Sequence, residues 1–200
     1  MSQNARPVLI FFDGTPLQIE QITAIAQQQA QAVLSPEPAF RERIQKGADF
    51  LDRLLAEDGV VYGVTTGYGD SCTVEIPPAL VPELPHHLYA YHGCGAGRYL
   101  TPEETRAVLA CRMASLAQGM SGVSWALMQQ LEHLLQHDIL PLIPAEGSVG
   151  ASGDLTPLSY VAAALCGERE VLYKNERMPA ADALKLTGAT PLRLRPKEGL

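Results

Sequence analysis

Closely spaced cysteine pairs are absent from this sequence. The four cysteines lie far apart and form no C-x-x-C pattern: Cys72, Cys94, Cys111 and Cys166. Zinc sites and small disulfide frameworks usually show closer, repeated spacings. In a cytoplasmic protein we therefore expect reduced, packed thiols rather than disulfides or zinc ligands.

An excess of positive charge and long apolar runs are absent as well. The chain has 15 Lys and Arg against 22 Asp and Glu, a formal net charge of −7. This balance argues against nucleic acid or an anionic membrane surface as a partner. An apolar run such as Val8–Phe12 is far too short to span a bilayer, and it is also too short for a secretory signal. We therefore expect a cytoplasmic protein with no membrane or nucleic-acid partner.

The apolar residues that remain recur mostly at helical spacing. They make up 46% of 200 residues, enough for one domain with a sizeable core. The periodicity predicts a mainly α fold with a trace of β. The sequence predicts a strand at Val8–Phe12, followed by a helix that begins after a capping box at 15–18 and runs to about Leu34. Further helices are predicted at 38–58, in a stretch that ends near Gly93, after a second capping box at 101–104, around 127–134 and at 161–166. A hairpin around Lys174-Asn175 and a short helix at 179–186 complete the prediction.

Residues 147–160 combine three closely spaced glycines with the start of a helix, in the sequence GSVGASGDLTPLSY. A glycine-rich turn before a helix can bind an anion, but no lysine follows as in phosphate-binding loops. Alternatively, the nitrogen of Gly153 can attack the carbonyl of Ala151, and loss of water from Ser152 then leaves a methylidene electrophile. Ala-Ser-Gly by itself indicates only a tight structural turn.

The longer string changes that balance, because GSVGASGDL-x-PL resembles the signature of the aromatic amino acid ammonia-lyases and aminomutases. That family forms its methylidene-imidazolone (MIO) cofactor autocatalytically from its own Ala-Ser-Gly and needs no metal. The resemblance therefore implies catalytic roles for Ala151, Ser152 and Gly153. It covers essentially the whole chain, although Thr156 stands where the family often has a smaller or apolar residue.

Residues 62–69 read YGVTTGYG, a glycine-hinged loop that presents a phenol. Loop composition alone favours a surface loop with packed tyrosines. The same family carries a similar sequence on a mobile loop, with the first tyrosine as catalytic acid/base. The resemblance thus implies that Tyr62 is the base and that Gly69 lies at the substrate. Since a tyrosine pKa is ordinarily about 10, positive charge or donated hydrogen bonds must assist such a base near neutral pH.

Tyr91 and His92 end a predicted helix. A lone histidine at such a place is usually structural, but in the family these two positions face the substrate side chain. At these two positions histidine lyases typically carry Ser-His, tyrosine lyases carry His-Leu and phenylalanine lyases carry Phe-Leu. The Tyr-His of this chain matches none of them fully, and His92 agrees with the histidine lyases and some tyrosine aminomutases.

His133 and His137 stand four residues apart and can face one metal ion. No third ligand accompanies them in the sequence. They fall in the last turns of a predicted helix, where a histidine suits the helix dipole. We interpret both as structural and predict no metal site.

Taken together, the resemblance implies the N-terminal, cofactor-forming part of the ammonia-lyase fold over residues 1–200. The expected activity is elimination of ammonia from L-histidine, giving urocanate, or from L-tyrosine, giving 4-coumarate. A tyrosine aminomutase and a non-catalytic truncated relative that serves as an assembly or binding module are the alternatives. The family's central helical bundle is absent from this sequence. We therefore expect the piece to be inactive alone and the full-length protein to be a homotetramer.

Overall fold

The structure, a computed structural model, describes residues 7–57, 59–148 and 155–199. Over these residues the chain forms seven α-helices and seven short strands, which confirms the predicted mainly α fold. The helices are α1 Ile19–Ala26, α2 Pro38–Ala56, α3 Leu84–Tyr91, α4 Pro102–Leu116, α5 Trp125–Gln136, α6 Leu155–Leu165 and α7 Ala180–Leu186. The strands are β1 Val8–Phe12, β2 Ala30–Leu34, β3 Ala96–Tyr99, β4 Leu140–Pro141, β5 Pro144–Glu146, β6 Glu170–Tyr173 and β7 Glu176–Pro179.

The first predicted helix is too long, because its second half is strand β2. The helix ends at Ala26, and Gln28 then adopts a positive φ of 57° that turns the chain. Strand β2 pairs in parallel with β1, with Val8 opposite Ala30 and Phe12 opposite Leu34. Alternate residues of β2 are buried, as expected for a strand with one face on the core.

The predicted capping box at 15–18 is also wrong. Helix α1 begins at Ile19 with Gln18 as its N-cap, and the backbone N–H of Gln18 donates to Gln21 Oε1 at 2.8 Å. Thr15 instead donates from both its N–H and its hydroxyl to Asp13 Oδ1, each at 2.7 Å. An aspartate that binds the residue two positions on forms a local turn, and this turn precedes the helix.

The other predicted helices are present with small changes at their ends. Helix α2 stops at Ala56 rather than at residue 58, and the N–H of Gly59 closes its last turn on Leu54 O at 2.8 Å. The capping box of α4 forms as predicted. Glu104 N–H donates to Thr101 Oγ1, and Thr101 N–H donates to Glu104 Oε2.

The core lies between α4, α5 and α6. Leu109 and Met113 of α4 are fully buried, as are Met128 and Leu134 of α5, and α6 buries its run of small residues. Arg106 of α4 joins the ends of two neighbouring helices, since it pairs with Asp138 at 2.6 Å and donates to Ala26 O at 3.0 Å. These helices form the support from which the loops near the candidate site extend.

Short sheets complete the fold. The hairpin β6–β7 forms as predicted around Lys174 and Asn175, which have φ of 52° and 63°. Residues in this left-handed region suit a two-residue hairpin turn. Strand β4 extends this sheet by pairing with β6, and β3 pairs antiparallel with β5. Neither β3–β5 nor β4 was predicted, because these strands are very short.

The cysteines are free, as expected, but they are not packed as we expected. Cys72, Cys94 and Cys111 lie exposed at the surface, and Cys166 is half-buried. Burial raises the pKa of the Cys166 thiol to about 11, so this thiol stays protonated near neutral pH. In the described part of the chain, no helix has both the length and the apolar character needed to cross a membrane.

Candidate active site

The Tyr62 loop, residues 60–76, is a locally closed structure. Thr66 and Glu75 form an antiparallel bridge, and Ile76 N–H donates to Thr65 O at 2.8 Å. Residues Gly69–Thr73 form one 3₁₀ turn at its tip. Val64 at its base is fully buried. A loop is therefore present where the sequence predicts one, and its hinged character stays a prediction.

Tyr62 lies on the exposed side of this loop with 53% of its surface accessible. Its hydroxyl oxygen accepts a hydrogen bond from the backbone N–H of Gly69 at 2.9 Å. Gly69 has a φ of +56°, and a β-carbon there would touch nothing within 4 Å. Glycine thus suits the backbone conformation of this position and leaves open space beside the phenol.

Tyr68, in the same loop, has a different environment. Its hydroxyl donates to Gly63 O at 2.7 Å, and its ring meets the Tyr62 ring edge-on at 5.7 Å between centroids. Burial raises the pKa of Tyr68 to about 12, and the neighbouring Tyr62 adds to the shift. Tyr68 therefore remains a protonated structural donor, while Tyr62 is the tyrosine whose ring is open to solvent.

His92 follows α3 directly as its C-cap residue, and its ring orientation is fixed by the helix. Its Nδ1 lies 2.8 Å from the carbonyl oxygen of Leu88. Because a carbonyl can only accept, Nδ1 carries the proton, and in the neutral ring Nε2 is the acceptor. Tyr91 is 82% exposed, and its ring stands edge-on to His92 at 5.2 Å.

The segment after His92 lies against the chain on both sides of Ala-Ser-Gly. A β-carbon at Gly147 would lie 2.5 Å from Thr156 Cγ2 and 3.3 Å from Gly95 Cα. Cys94 Sγ lies 4.0 Å from Thr156 Oγ1. Only glycine therefore allows these backbones to approach so closely.

Ala151, Ser152 and Gly153 themselves lie outside the described residues. What the structure describes is the two flanks, Gly147 and Thr156, which are in contact.

The candidate residues fall into two groups. Tyr62 and Gly69 form one, and Tyr91 and His92, beside the flanks of Ala-Ser-Gly, form the other. Among the described residues, no hydrogen bond or ring contact joins Tyr62 to Tyr91 or His92. The structure thus brings Cys94 and Gly95, which follow His92 in the chain, against Thr156 and Gly147.

Arg169 supports the second group, although no sequence pattern pointed to it. Its Nη2 donates to Tyr89 O at 2.6 Å, and its guanidinium lies 4.2 Å from the Tyr160 ring centroid. It occupies the space beside Gly93, where a β-carbon would collide with it. Arg169 therefore holds α3 against α6, and Gly93 is needed to admit it.

The histidine pair of α5 has structural partners. His133 Nε2 lies 2.8 Å from Thr187 Oγ1, and its ring is 4.2 Å from that of His137. Burial lowers the pKa of His133, and His137 lowers it further. Within the described ranges, no group of three His, Cys, Asp or Glu side chains is placed to hold a metal ion.

The model of the family described as aromatic amino acid lyase matches residues 17–200. The chain belongs to this family. Among curated relatives of the chain, the histidine ammonia-lyase of Myxococcus xanthus is 39% identical over 191 residues. The match covers 96% of this chain and 37% of that relative, so the chain spans little more than a third of its length.

Solved structures of the family share the fold over nearly all of this chain. The ergothionase of Treponema denticola, an ergothioneine-degrading enzyme, superposes with a TM-score of 0.90 at 30% identity. That match covers 96% of this chain and 38% of the ergothionase. The tyrosine aminomutase of Streptomyces globisporus superposes with a TM-score of 0.86 at 34% identity, covering 97% and 36%. The predicted resemblance to ammonia-lyases and aminomutases is therefore confirmed.

Proposed function

We propose that the full-length protein is an aromatic L-amino acid ammonia-lyase with L-histidine as its first substrate and L-tyrosine as its second. The observation that carries this proposal is the meeting of Gly95, Gly147 and Thr156 directly after the His92 end of α3. This contact supports the proposal because Gly95 lies three residues after His92 and Gly147 lies shortly before the residues that would form the cofactor. The histidine ammonia-lyase relative supports the choice of the first substrate.

In the proposed reaction the substrate loses a proton from its β-carbon and ammonia from its α-carbon. Tyr62, acting as the base, accepts that proton, and the C–N bond breaks as the carbon–carbon double bond forms. Histidine gives urocanate and tyrosine gives 4-coumarate. A methylidene-imidazolone formed from Ala151, Ser152 and Gly153 would supply the electrophile that makes the elimination possible.

His92 can recognise an aromatic substrate side chain that carries a hydrogen-bond donor. Its Nδ1 is committed to Leu88 O, which leaves Nε2 as an acceptor. The imidazole N–H of histidine and the phenol O–H of tyrosine can both donate to it. Phenylalanine has no such donor. The proposal therefore includes selection against phenylalanine. Discrimination between histidine and tyrosine as substrates would depend on other residues of the site.

We further propose that the site is completed by association of chains. Among the residues that the structure describes, no hydrogen bond or ring contact joins Tyr62 to Tyr91 or His92. A homotetramer, as the family resemblance implies, would allow Tyr62 of one subunit to serve the Ala-Ser-Gly segment of another. The proposed partner is then a second copy of the full-length protein.

A tyrosine aminomutase is the second candidate, supported by the structural match to the Streptomyces globisporus enzyme. An aminomutase would use the same groups but return ammonia to the β-carbon. The product then distinguishes the two reactions. A lyase releases an arylacrylate that absorbs in the near ultraviolet, whereas a mutase accumulates a β-amino acid.

The experiment uses the purified full-length protein with L-histidine, L-tyrosine and L-phenylalanine separately. Urocanate, coumarate and cinnamate are followed by absorbance, and β-amino acids by chromatography. We expect fastest formation of urocanate. Accumulation of β-tyrosine would favour the aminomutase, and no turnover of any of the three would favour a non-catalytic assembly module.

A further inference from the structure

Lys197 contacts Tyr62 in two ways although the two residues are far apart in the sequence. Its Nζ donates to the backbone carbonyl of Tyr62 at 3.0 Å. The same ammonium lies 5.7 Å from the centroid of the Tyr62 ring, within range of a cation–π contact. One side chain thus holds both the backbone and the ring of the proposed base.

The turn that carries Lys197 is firmly attached to the helices. The buried carboxylate of Glu198 accepts from Ser124 N–H, at the N-cap of α5, at 2.6 Å and from Arg195 N–H at 2.7 Å. Arg195 also pairs with Asp52 of α2. Because Glu198 is only 5% exposed, these bonds are sheltered from water and the position of the turn is fixed.

The backbone at Lys197 is unusual for a residue with a side chain. Its φ of 79° lies in the left-handed region, which glycine adopts without strain and lysine does not. A strained conformation of this kind persists only where the surrounding structure determines it. In this conformation the lysine side chain reaches the Tyr62 loop.

The Tyr62 loop has few other ties to the fixed part of the fold. Its hydrogen bonds between described residues run within residues 60–76, apart from the bond from Lys197. The burial of Val64 fixes the base of the loop but not Tyr62 itself. Lys197 therefore connects Tyr62 to the turn anchored on α2 and α5.

We propose that Lys197 is a positioning residue for Tyr62. By fixing the carbonyl and one face of the ring, it keeps the phenol in the orientation in which its oxygen accepts from Gly69. This inference rests on the proposed role of Tyr62 as base. A misplaced general base can cost about 100-fold in rate, so the contribution is measurable.

The test uses full-length protein with Lys197→Met, Lys197→Arg and a matched control, Lys174→Met. Lys174 also lies over a tyrosine, 5.1 Å from the Tyr173 ring, but in the β6–β7 hairpin. We expect Lys197→Met to lower kcat about 10- to 100-fold with a much smaller change in KM. Arginine should restore most of the rate, and Lys174→Met should retain it.

Hydrogen exchange gives a readout that does not depend on activity. In Lys197→Met, amides of residues 60–76 should exchange faster, while those of α4 and α5 should not change. Unchanged exchange in the loop, or faster exchange with unchanged kcat, would overturn the proposal. So would a rate loss that Lys174→Met reproduces.

A double variant separates this inference from the proposed function. Once Tyr62→Phe has removed the phenol, Lys197→Met should cost little further rate, because nothing remains to be positioned. Additive losses would show that Lys197 acts elsewhere and overturn its positioning role. Full turnover by Tyr62→Phe alone would instead contradict Tyr62 as base, the premise on which the inference rests.

Discussion

The hydroxyl oxygen of Tyr62 accepts a hydrogen bond from the backbone N–H of Gly69 at 2.9 Å. The two residues begin and end the same short motif, so the motif folds back on itself. The glycine supplies the donor in a conformation that other residues adopt with strain. The relationship explains why the tyrosine and the glycine are needed at this spacing.

Replacing Tyr62 by phenylalanine should strongly lower the rate of elimination and leave the fold intact. The substitution removes the proposed proton acceptor, together with the acceptor of the Gly69 N–H hydrogen bond, and general-base catalysis contributes about 10²- to 10⁴-fold. The measurement is urocanate formation by the full-length variant, with circular dichroism as the check on folding. Tyr173→Phe, in the hairpin, is the control. If Tyr62→Phe turns over within a few-fold of the wild type, Tyr62 is not the base.

His92→Leu should shift substrate preference towards phenylalanine. The variant loses the Nε2 acceptor, and a site that hydrogen-bonds its substrate rejects an analogue lacking the group by roughly 10⁴-fold or more. His92→Gln keeps an acceptor and should shift preference much less. The measurement is kcat/KM for histidine, tyrosine and phenylalanine. Unchanged ratios in His92→Leu would remove the residue from the substrate pocket.

Ser152→Ala should prevent formation of the cofactor. Cyclisation of Ala151-Ser152-Gly153 releases two water molecules, so the wild-type full-length protein should be lighter than its sequence mass by that amount. The variant should have its full sequence mass. Intact-protein mass spectrometry makes the comparison, and an active wild-type enzyme of unmodified mass would contradict the proposed chemistry.

Gly147→Ala should impair the same cyclisation from a distance. The new methyl group would lie 2.5 Å from Thr156 Cγ2, which forces the flanks of the segment apart. Thr156→Ser removes that methyl carbon, so the double variant should recover part of the modification. The dehydrated fraction of each protein is read by intact mass. Complete dehydration of Gly147→Ala would show that close contact of the flanks is not required.

Much of the helical fold could be predicted because its signals are local. The capping box at Thr101 and Glu104 and the Lys174-Asn175 turn are each encoded in four residues or fewer, and both form. Strand β2 could not be found in the same way. Its residues continue the apolar pattern of α1, and their strand conformation is stabilised by pairing with β1. The alternation of Ala30, Ala32 and Leu34 was the one available signal.

The residues of the candidate site divide in the same way, into those found in local sequence motifs and those defined by long-range contacts. Tyr62, Gly69 and His92 belong to motifs that can be read in the sequence, and their catalytic and binding roles stay predictions. Lys197 and Arg169 could not be found, because each contacts residues distant in the chain. Long flexible side chains carry no periodic signal. Their partners are decided by how the loops pack once the helices are in place.

The pairing of β3 with β5 also imposes an order on folding. Ala96 lies opposite Glu146, and helices α4 and α5 are formed by the chain between them. Closing so long a loop costs entropy that only the packed helices can offset. We therefore expect the contact between Gly95 and Gly147 to follow assembly of the core. On the proposed chemistry, a newly made chain would finish burying its apolar surface before it acquired a reactive electrophile.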